Sequence, residues 1–207
     1  MDKVKTAREW LKRHPFIDRD IYIKNLSSRL TELSNMIGHW QVLSVWGMPG
    51  VGKTSLVKYI YCKKQIQLES SNEFKFGWVN VSYRFDLMDF AHNLLSDLNP
   101  GYLQDGRTSM VNDPIQGCRE YLHECRGLIV IDSLRSTEEW NLVKDAFDQT
   151  FKGTIIAITN DKSVATHCAR HIERNVLEIK GLEVDNAKLF NQVCLLNLHC
   201  SRSSVAL

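Results

Sequence analysis

Several features that would place the chain in a class at once are missing. No apolar run approaches the roughly 20 residues a bilayer-spanning helix needs, so a membrane span is excluded. The six cysteines (Cys62, Cys118, Cys125, Cys168, Cys194 and Cys200) are scattered, with no Cys-x-x-Cys pair. That argues against both a disulfide framework and a zinc knuckle. Cys168 near His171, and His199 beside Cys200, lack the second pair that a structural metal needs, and read as core or incidental thiols. The net charge is only +2, too small to argue for a nucleic acid or a membrane surface as partner. The start, Met1 to Trp10, is no signal peptide, so the expected location is the cytoplasm, with the nucleus as the alternative.

What is present is an ordinary globular composition, 43% hydrophobic and 24% charged over 207 residues, enough for one α/β domain. Within it, Gly47-Met48-Pro49-Gly50-Val51-Gly52-Lys53-Thr54 matches the phosphate-cradling pattern G-x-x-x-x-G-K-[S/T] at every fixed position, and Ser55 follows. The apolar run Gln41 to Trp46 ahead of it reads as a buried strand, and Ser55 to Cys62 behind it as an amphipathic helix. Glycines at 47, 50 and 52 allow φ > 0 and a close approach of backbone N–H groups to an anion. The helix start adds unpaired N–H donors. Lys53 is placed for β- and γ-phosphates, and Thr54 for Mg²⁺.

In chain order, Asp2 to Arg13 reads as a charged helix, broken by Pro15 and followed by an extended Phe16 to Arg19. Ile21, Leu26, Leu30, Leu33 and Ile37 fall at helical spacing, and Gly38 is a stop. Lys63 to Asn72 is a polar connection, and Phe74 to Ser82 a strand. Asp86 caps a helix over Leu87 to Leu98, and Asn99 to Asn112 is an exposed loop. Pro114 opens a helix through Cys125. Helical periods alternating with short apolar runs predict βαβ units, hence a three-layer α/β fold with a doubly wound parallel sheet and helices on both faces.

Gly127 to Ile131 closes on Asp132, a buried strand with a carboxylate at its C-terminal end, where a doubly wound sheet puts its ligand crevice. Asp132 is the expected Walker B acid, holding Mg²⁺ directly or through water. A further strand, Thr154 to Thr159, ends on the same edge. Thr159 is placed there to sense a γ-phosphate or simply to close a turn.

The phosphate loop, Phe76 to Ser82, Tyr121-Leu122 ahead of Gly127 to Asp132, and Trp140 eight residues past the acid together resemble the NB-ARC module of plant disease-resistance proteins. Gly153 to Asn160 with Ser163 to Cys168, and Leu177 to Leu182 with Leu189-Phe190, extend the resemblance, and Ile17-Asp18-Arg19 resembles the segment that contacts adenine in that family. The similarity runs over about residues 15 to 196 and implies a P-loop NTPase fold that acts as an ADP/ATP switch in defence signalling. By position, it implies that Gly47, Met48, Pro49, Gly50, Val51, Gly52, Lys53, Thr54 and Ser55 bind phosphates. Ile17 and Arg19 would lie at the adenine and ribose side, and Thr54 and Asp132 would bind Mg²⁺. Protein partners in immune signalling are implied, without identity.

Two departures bear on hydrolysis. Ser133 stands where the family has a second acid, and serine cannot act as that base. Asn160 stands where the family has an arginine that reads the γ-phosphate. Binding is therefore expected to survive better than cleavage, leaving at most a weak ATPase. A kinase would need an arginine-rich lid, and Asn99 to Asn112 supplies only Arg107. The expected organisation is an N-terminal helical extension over residues 1–38, the nucleotide-binding unit over 39–196 and a tail over 197–207. The ARC helices and leucine-rich repeats of the family are not in the sequence, so the expectation is a fragment of a receptor or a truncated product. The alternatives are a non-hydrolysing interaction module or decoy from the same family, and an active P-loop ATPase.

Overall fold

In the computed structural model, residues 3–14, 19–36, 39–69, 71, 73–99, 113–147 and 149–181 are described. Among the described residues five strands form one parallel sheet: β1 (Gln41–Trp46), β2 (Phe74–Asn80), β3 (Arg126–Leu134), β4 (Lys152–Thr159) and β5 (Val176–Glu178). Their order across the sheet is β2-β3-β4-β1-β5. The described helices are α1 (Lys3–Arg13), α2 (Asp20–Ser34), α3 (Lys53–Gln67), α4 (Leu87–Leu98), α5 (Pro114–Leu122), α6 (Thr137–Val143) and α7 (Lys162–Cys168).

Period-two alternation along the strands sorts the core into two layers. Leu43, Val45, Leu128, Val130, Ile156 and Ile158 point to one face, where Leu26, Leu30 and Leu33 of α2 and Leu56, Val57 and Ile60 of α3 cover them. Val42, Ile129, Ile131, Ile155 and Ala157 point to the other, against Phe90 and Leu94 of α4, Leu122 of α5 and Trp140 of α6. Trp140 is buried and meets Trp40 edge-on, with ring centroids 6.2 Å apart. The sheet with helices on both faces is thus the three-layer α/β arrangement expected from the alternating periods.

Several expected boundaries moved, each for a local reason. α3 runs to Gln67 rather than stopping at Cys62, because Lys63, Lys64, Gln65 and Gln67 are good helix formers and Gln65 is still buried against the core. α2 ends at Ser34, and Ile21 at its start is 76% exposed, not part of the apolar stripe; Leu26, Leu30 and Leu33 form its buried centre, Tyr22 and Ile23 its partly buried start, and Ile37 lies outside the described residues. α6 had no periodic signal of its own; Ser136 caps it by accepting from the Glu139 N–H at 3.1 Å. The Asp86 cap on α4 is as expected, accepting from the Asp89 N–H at 2.9 Å. Of the expected loop from Asn99 to Asn112, residues 100–112 lie outside the described residues, as do the Gly38 stop, the helix at Leu189-Phe190 and the tail.

The N-terminal helices are built into this layering. α2 lies against β1, β4 and α3, and α1 against α3. Lys3 of α1 reaches the free edge of β2, donating to the Phe76 carbonyl at 3.1 Å and pairing with Asp97 of α4 at 3.1 Å. Asp97 in turn accepts the Trp78 N–H at 2.7 Å. An outward-facing donor and acceptor of the edge strand are thereby occupied, which blocks strand addition there.

Candidate functional site

The strand order places the C-terminal ends of β1, β4 and β3 side by side, with Trp46 level with Thr159 and Thr159 level with Leu134. At that edge a cavity of about 560 Å³ opens, lined by the phosphate loop, the start of α3 and the ends of β3 and β4. Gly50, Gly52, Lys53, Thr54, Asp132 and Thr159 are all in its wall, with Pro49 and Ser55 beside them. Met48, 74% exposed, and Val51 belong to the same loop but not to the cavity lining.

The loop takes its shape from residues that tolerate left-handed backbone. Gly47 has φ +153°, and a Cβ there would meet the Ile179 carbonyl oxygen at 2.3 Å. Gly52, the residue ahead of α3, has φ +93°, and the space around its missing Cβ is open, as it is at Gly50. Close backbone approach on one side and free space on the other describe a cradle with room for an anion.

Lys53 is buried at the first turn of α3, and its Nζ donates to the Gly47 and Met48 carbonyls, each at 2.8 Å. Burial pulls its ammonium below the usual pKa, opposed by the charge of Asp132. Asp132 is 5% exposed. Its burial pushes the carboxyl above the usual carboxylate range, against hydrogen bonds from the Thr54 hydroxyl and the Ser133 backbone and hydroxyl, and the charge of Lys53. A buried acid next to a hydroxyl, both hard oxygen donors, is a fitting pair for Mg²⁺. The donor set and the open cradle thus fit a phosphate–magnesium group.

Ser133, in place of a second acid, takes φ +66°, and the β3–β4 register shifts between Ile131 and Leu134. This bulge turns the strand end and sends Arg135 into the cavity wall. Thr159 is buried, and its Oγ1 accepts the Asp161 N–H at 3.2 Å, so its hydroxyl already closes the strand-end turn. Asn160 is exposed beside it.

Arg19 is placed elsewhere than the cavity wall. It is 8% exposed, with Nη1 donating to the Lys180 carbonyl at 2.7 Å and Nη2 to the Val51 carbonyl at 2.8 Å, and its guanidinium lies over the Tyr22 ring. Ile17 lies outside the described residues. Arg135 was not singled out from the sequence; a basic residue three past the acid is the one local signal for it, and its place in the wall follows from the bulge. Cys62, Cys118 and Cys168 are buried core thiols, and no group of three metal-ligating side chains exists among the described residues.

A parallel sheet ordered β2-β3-β4-β1-β5, with a glycine loop after β1 and a buried acid ending β3, defines a P-loop α/β protein. The NB-ARC domain family matches residues 20–197, and the chain belongs to that family. Among curated proteins it is similar to disease resistance protein RGA5 of Oryza sativa subsp. japonica, at 28% identity over 73% of this chain and 14% of that protein. It is likewise similar to disease resistance RPP8-like protein 3 of Arabidopsis thaliana, at 26% identity over 70% of this chain and 15% of that one. The chain spans about a seventh of the length of these relatives. Among solved structures, the Aeropyrum pernix ORC2 protein in its ADPNP-ADP complexes superposes with a TM-score of 0.59 at 14% identity, over 84% of this chain and 51% of that one. Drosophila ORC bound to DNA superposes at 0.56 and 13%, over 89% and 48%. At such identities the likeness concerns the fold alone. No helix among the described residues is long and apolar enough to cross a membrane.

Proposed function

We propose that this chain is the ADP/ATP-binding switch domain of a plant disease-resistance protein, working in defence signalling. The observation that carries the reading is that Thr54, at the start of α3, and the buried Asp132, near the end of β3, line one cavity beside an open glycine cradle. In this reading the backbone from Gly47 to Gly52, Lys53 and Ser55 hold the phosphates, and Thr54 and Asp132 hold Mg²⁺, which supplies charge neutralisation between phosphate oxygens. Lys53 exchanges its two loop carbonyls for phosphate oxygens. Thr159 borders the terminal phosphate. Ile17 lies toward the base, and Arg19 supports the loop at Val51 and so acts on the nucleotide through the backbone. The extension over 1–38, the binding unit over 39–196 and the tail over 197–207 are part of the same proposal, as are a cytoplasmic or nuclear location and protein partners in immune signalling.

Hydrolysis is at most weak. Ser133 follows Asp132 and cannot act as a base, and the other carboxylate lining the cavity among the described residues, Asp161, accepts the Ser163 N–H as the cap of α7. The same two facts favour, as second reading, a binding or decoy module that does not cleave nucleotide, over an active ATPase. Calorimetric titration with ADP and ATP, with and without Mg²⁺, tests the proposal, with Lys53→Arg as control and phosphate release measured in parallel. Tight binding by the wild type and weak binding by the variant is the expected result. Equal affinity of the two would sink the P-loop assignment, and turnover well above the variant would contradict the weak-hydrolysis reading.

A further inference from the structure

The cavity at the sheet edge has two cationic side chains in its wall. One is Lys53, on the phosphate loop. The other is Arg135, just past the end of β3, carried into the wall by the bulge at Ser133. The residue ending the neighbouring strand β4 is the uncharged Thr159, followed by Asn160. We propose that Arg135 is the residue by which this pocket distinguishes a nucleoside triphosphate from a diphosphate, with Glu139 as the positioning residue that holds it. The inference rests on the nucleotide-binding reading above and deepens it.

Arg135 is held ready rather than loose. Its Nε and Nη2 lie 3.2 and 2.9 Å from Glu139 Oε1, and its own backbone N–H donates to Glu139 Oε2 at 2.8 Å. Nη2 also donates to the Ser82 carbonyl, and the guanidinium sits 5.6 Å from the Tyr83 ring centroid. Glu139 is itself set by the Ser136 cap of α6, and its side chain is 14% exposed against 36% for Arg135. These contacts engage Nε and Nη2, while Nη1 has no partner among the described residues. A guanidinium with one face fixed and one arm free is pre-organised to take a phosphate oxygen.

Charge counting explains the discrimination. The loop backbone serves the phosphates that ADP and ATP share, Lys53 spans the β- and γ-phosphates, and the carboxylates in the wall, Asp132 and Asp161, repel added negative charge unless a cation offsets it. A third phosphate adds about one to two negative charges and three acceptor oxygens. Among the described residues of the wall, Arg135 is the cation beside Lys53 that can meet them, and the one not already engaged by the phosphate loop. Its pairing with Glu139 lowers its pull on the extra phosphate, so Glu139 sets how strongly ATP is preferred.

Titrations of ADP and of a non-hydrolysable ATP analogue, both with Mg²⁺, test this on wild type, Arg135→Gln, Arg135→Lys and Glu139→Gln. Arg135→Gln is expected to weaken the triphosphate analogue tenfold or more while changing ADP by less than threefold. Arg135→Lys falls between, since a lysine keeps charge without the fork. Glu139→Gln moves the ratio the other way, toward the triphosphate, an outcome that a purely structural role for the pair does not give. An unchanged ADP-to-triphosphate ratio in Arg135→Gln, or an equal loss of both ligands, overturns the proposal while leaving nucleotide binding intact. A wild type that binds neither ligand overturns the nucleotide-binding reading itself, and this inference with it. ADP binding by each variant serves as its own check of folding.

Discussion

Arg19 and Val51 are joined by a charge-assisted hydrogen bond, Nη2 to carbonyl oxygen at 2.8 Å, which ties the segment ahead of α2 to the middle of the phosphate loop. Nη1 of the same guanidinium holds the Lys180 carbonyl past β5 at 2.7 Å. One buried side chain therefore fixes the loop against the far edge of the sheet.

Removing it should be costly twice. Arg19→Ala leaves two carbonyls without their donor and is expected to lower the unfolding free energy by about 2–3 kcal/mol. It should also weaken ADP binding, because the cradle loses its support. Arg19→Lys, with a single ammonium, can serve only one carbonyl well and should fall between. Urea denaturation and ADP titration on the three proteins check this order; equal ADP affinities would separate Arg19 from the loop.

Gly47 and Gly52 predict different outcomes for the same substitution. Gly47→Ala drives a methyl to within 2.3 Å of the Ile179 carbonyl oxygen, so backbone must shift. Gly52→Ala meets open space and carries only the strain of φ +93°, about 1–2 kcal/mol. Thermal unfolding should show the greater loss at Gly47, and phosphate-dependent stabilisation should be impaired in both.

Asp97 holds the edge strand β2 by accepting the Trp78 N–H at 2.7 Å and pairing with Lys3. Asp97→Ala strips the N–H of its acceptor and should cost about 1–3 kcal/mol. Asp97→Asn keeps an acceptor and loses only the partly exposed ion pair, about 0–1 kcal/mol. If the exposed edge then pairs between molecules, light scattering will rise for the alanine variant and not for the asparagine one.

The buried thiols set an alkaline limit. Burial pushes Cys118 and Cys168 up to about 12 from 9.0. Below pH 9 both thiols are neutral whether folded or unfolded, and their contribution is fully present. Between about 9 and 12 only the unfolded chain ionises them, so stability falls with pH, by about 1.4 kcal/mol per pH unit for each thiol at most. Denaturation midpoints across that range should decline less steeply in Cys118→Ala, after allowance for its lower starting stability. Peptide-resolved alkylation at pH 8 should spare both cysteines in the native state.

The glycine loop between β1 and α3 and the buried acid near the end of β3 were legible because each depends on local chemistry. A glycine pattern followed by Lys53-Thr54, and an apolar run closing on Asp132, announce their places in the fold in a few consecutive residues. The α4 cap at Asp86 and the two-faced sheet were legible for the same reason, through short-range hydrogen bonding and strand alternation. Ile21 misled because helical spacing says which residues share a stripe, not where the helix begins to touch the core. α3 outran its expected end because a polar surface does not stop a helix whose inner face is still covered.

By itself, then, the sequence determined most of the elements, the glycine loop between β1 and α3, and a serine rather than an acid at position 133. Those follow from side-chain type and backbone freedom at single positions. Only the tertiary structure decided that β4 separates β1 from β3, that Arg19 braces Val51 from outside the cavity wall, and that a bulge at Ser133 delivers Arg135 to that wall. Such placements join residues far apart in the chain, and strand order and register, not local propensity, set them.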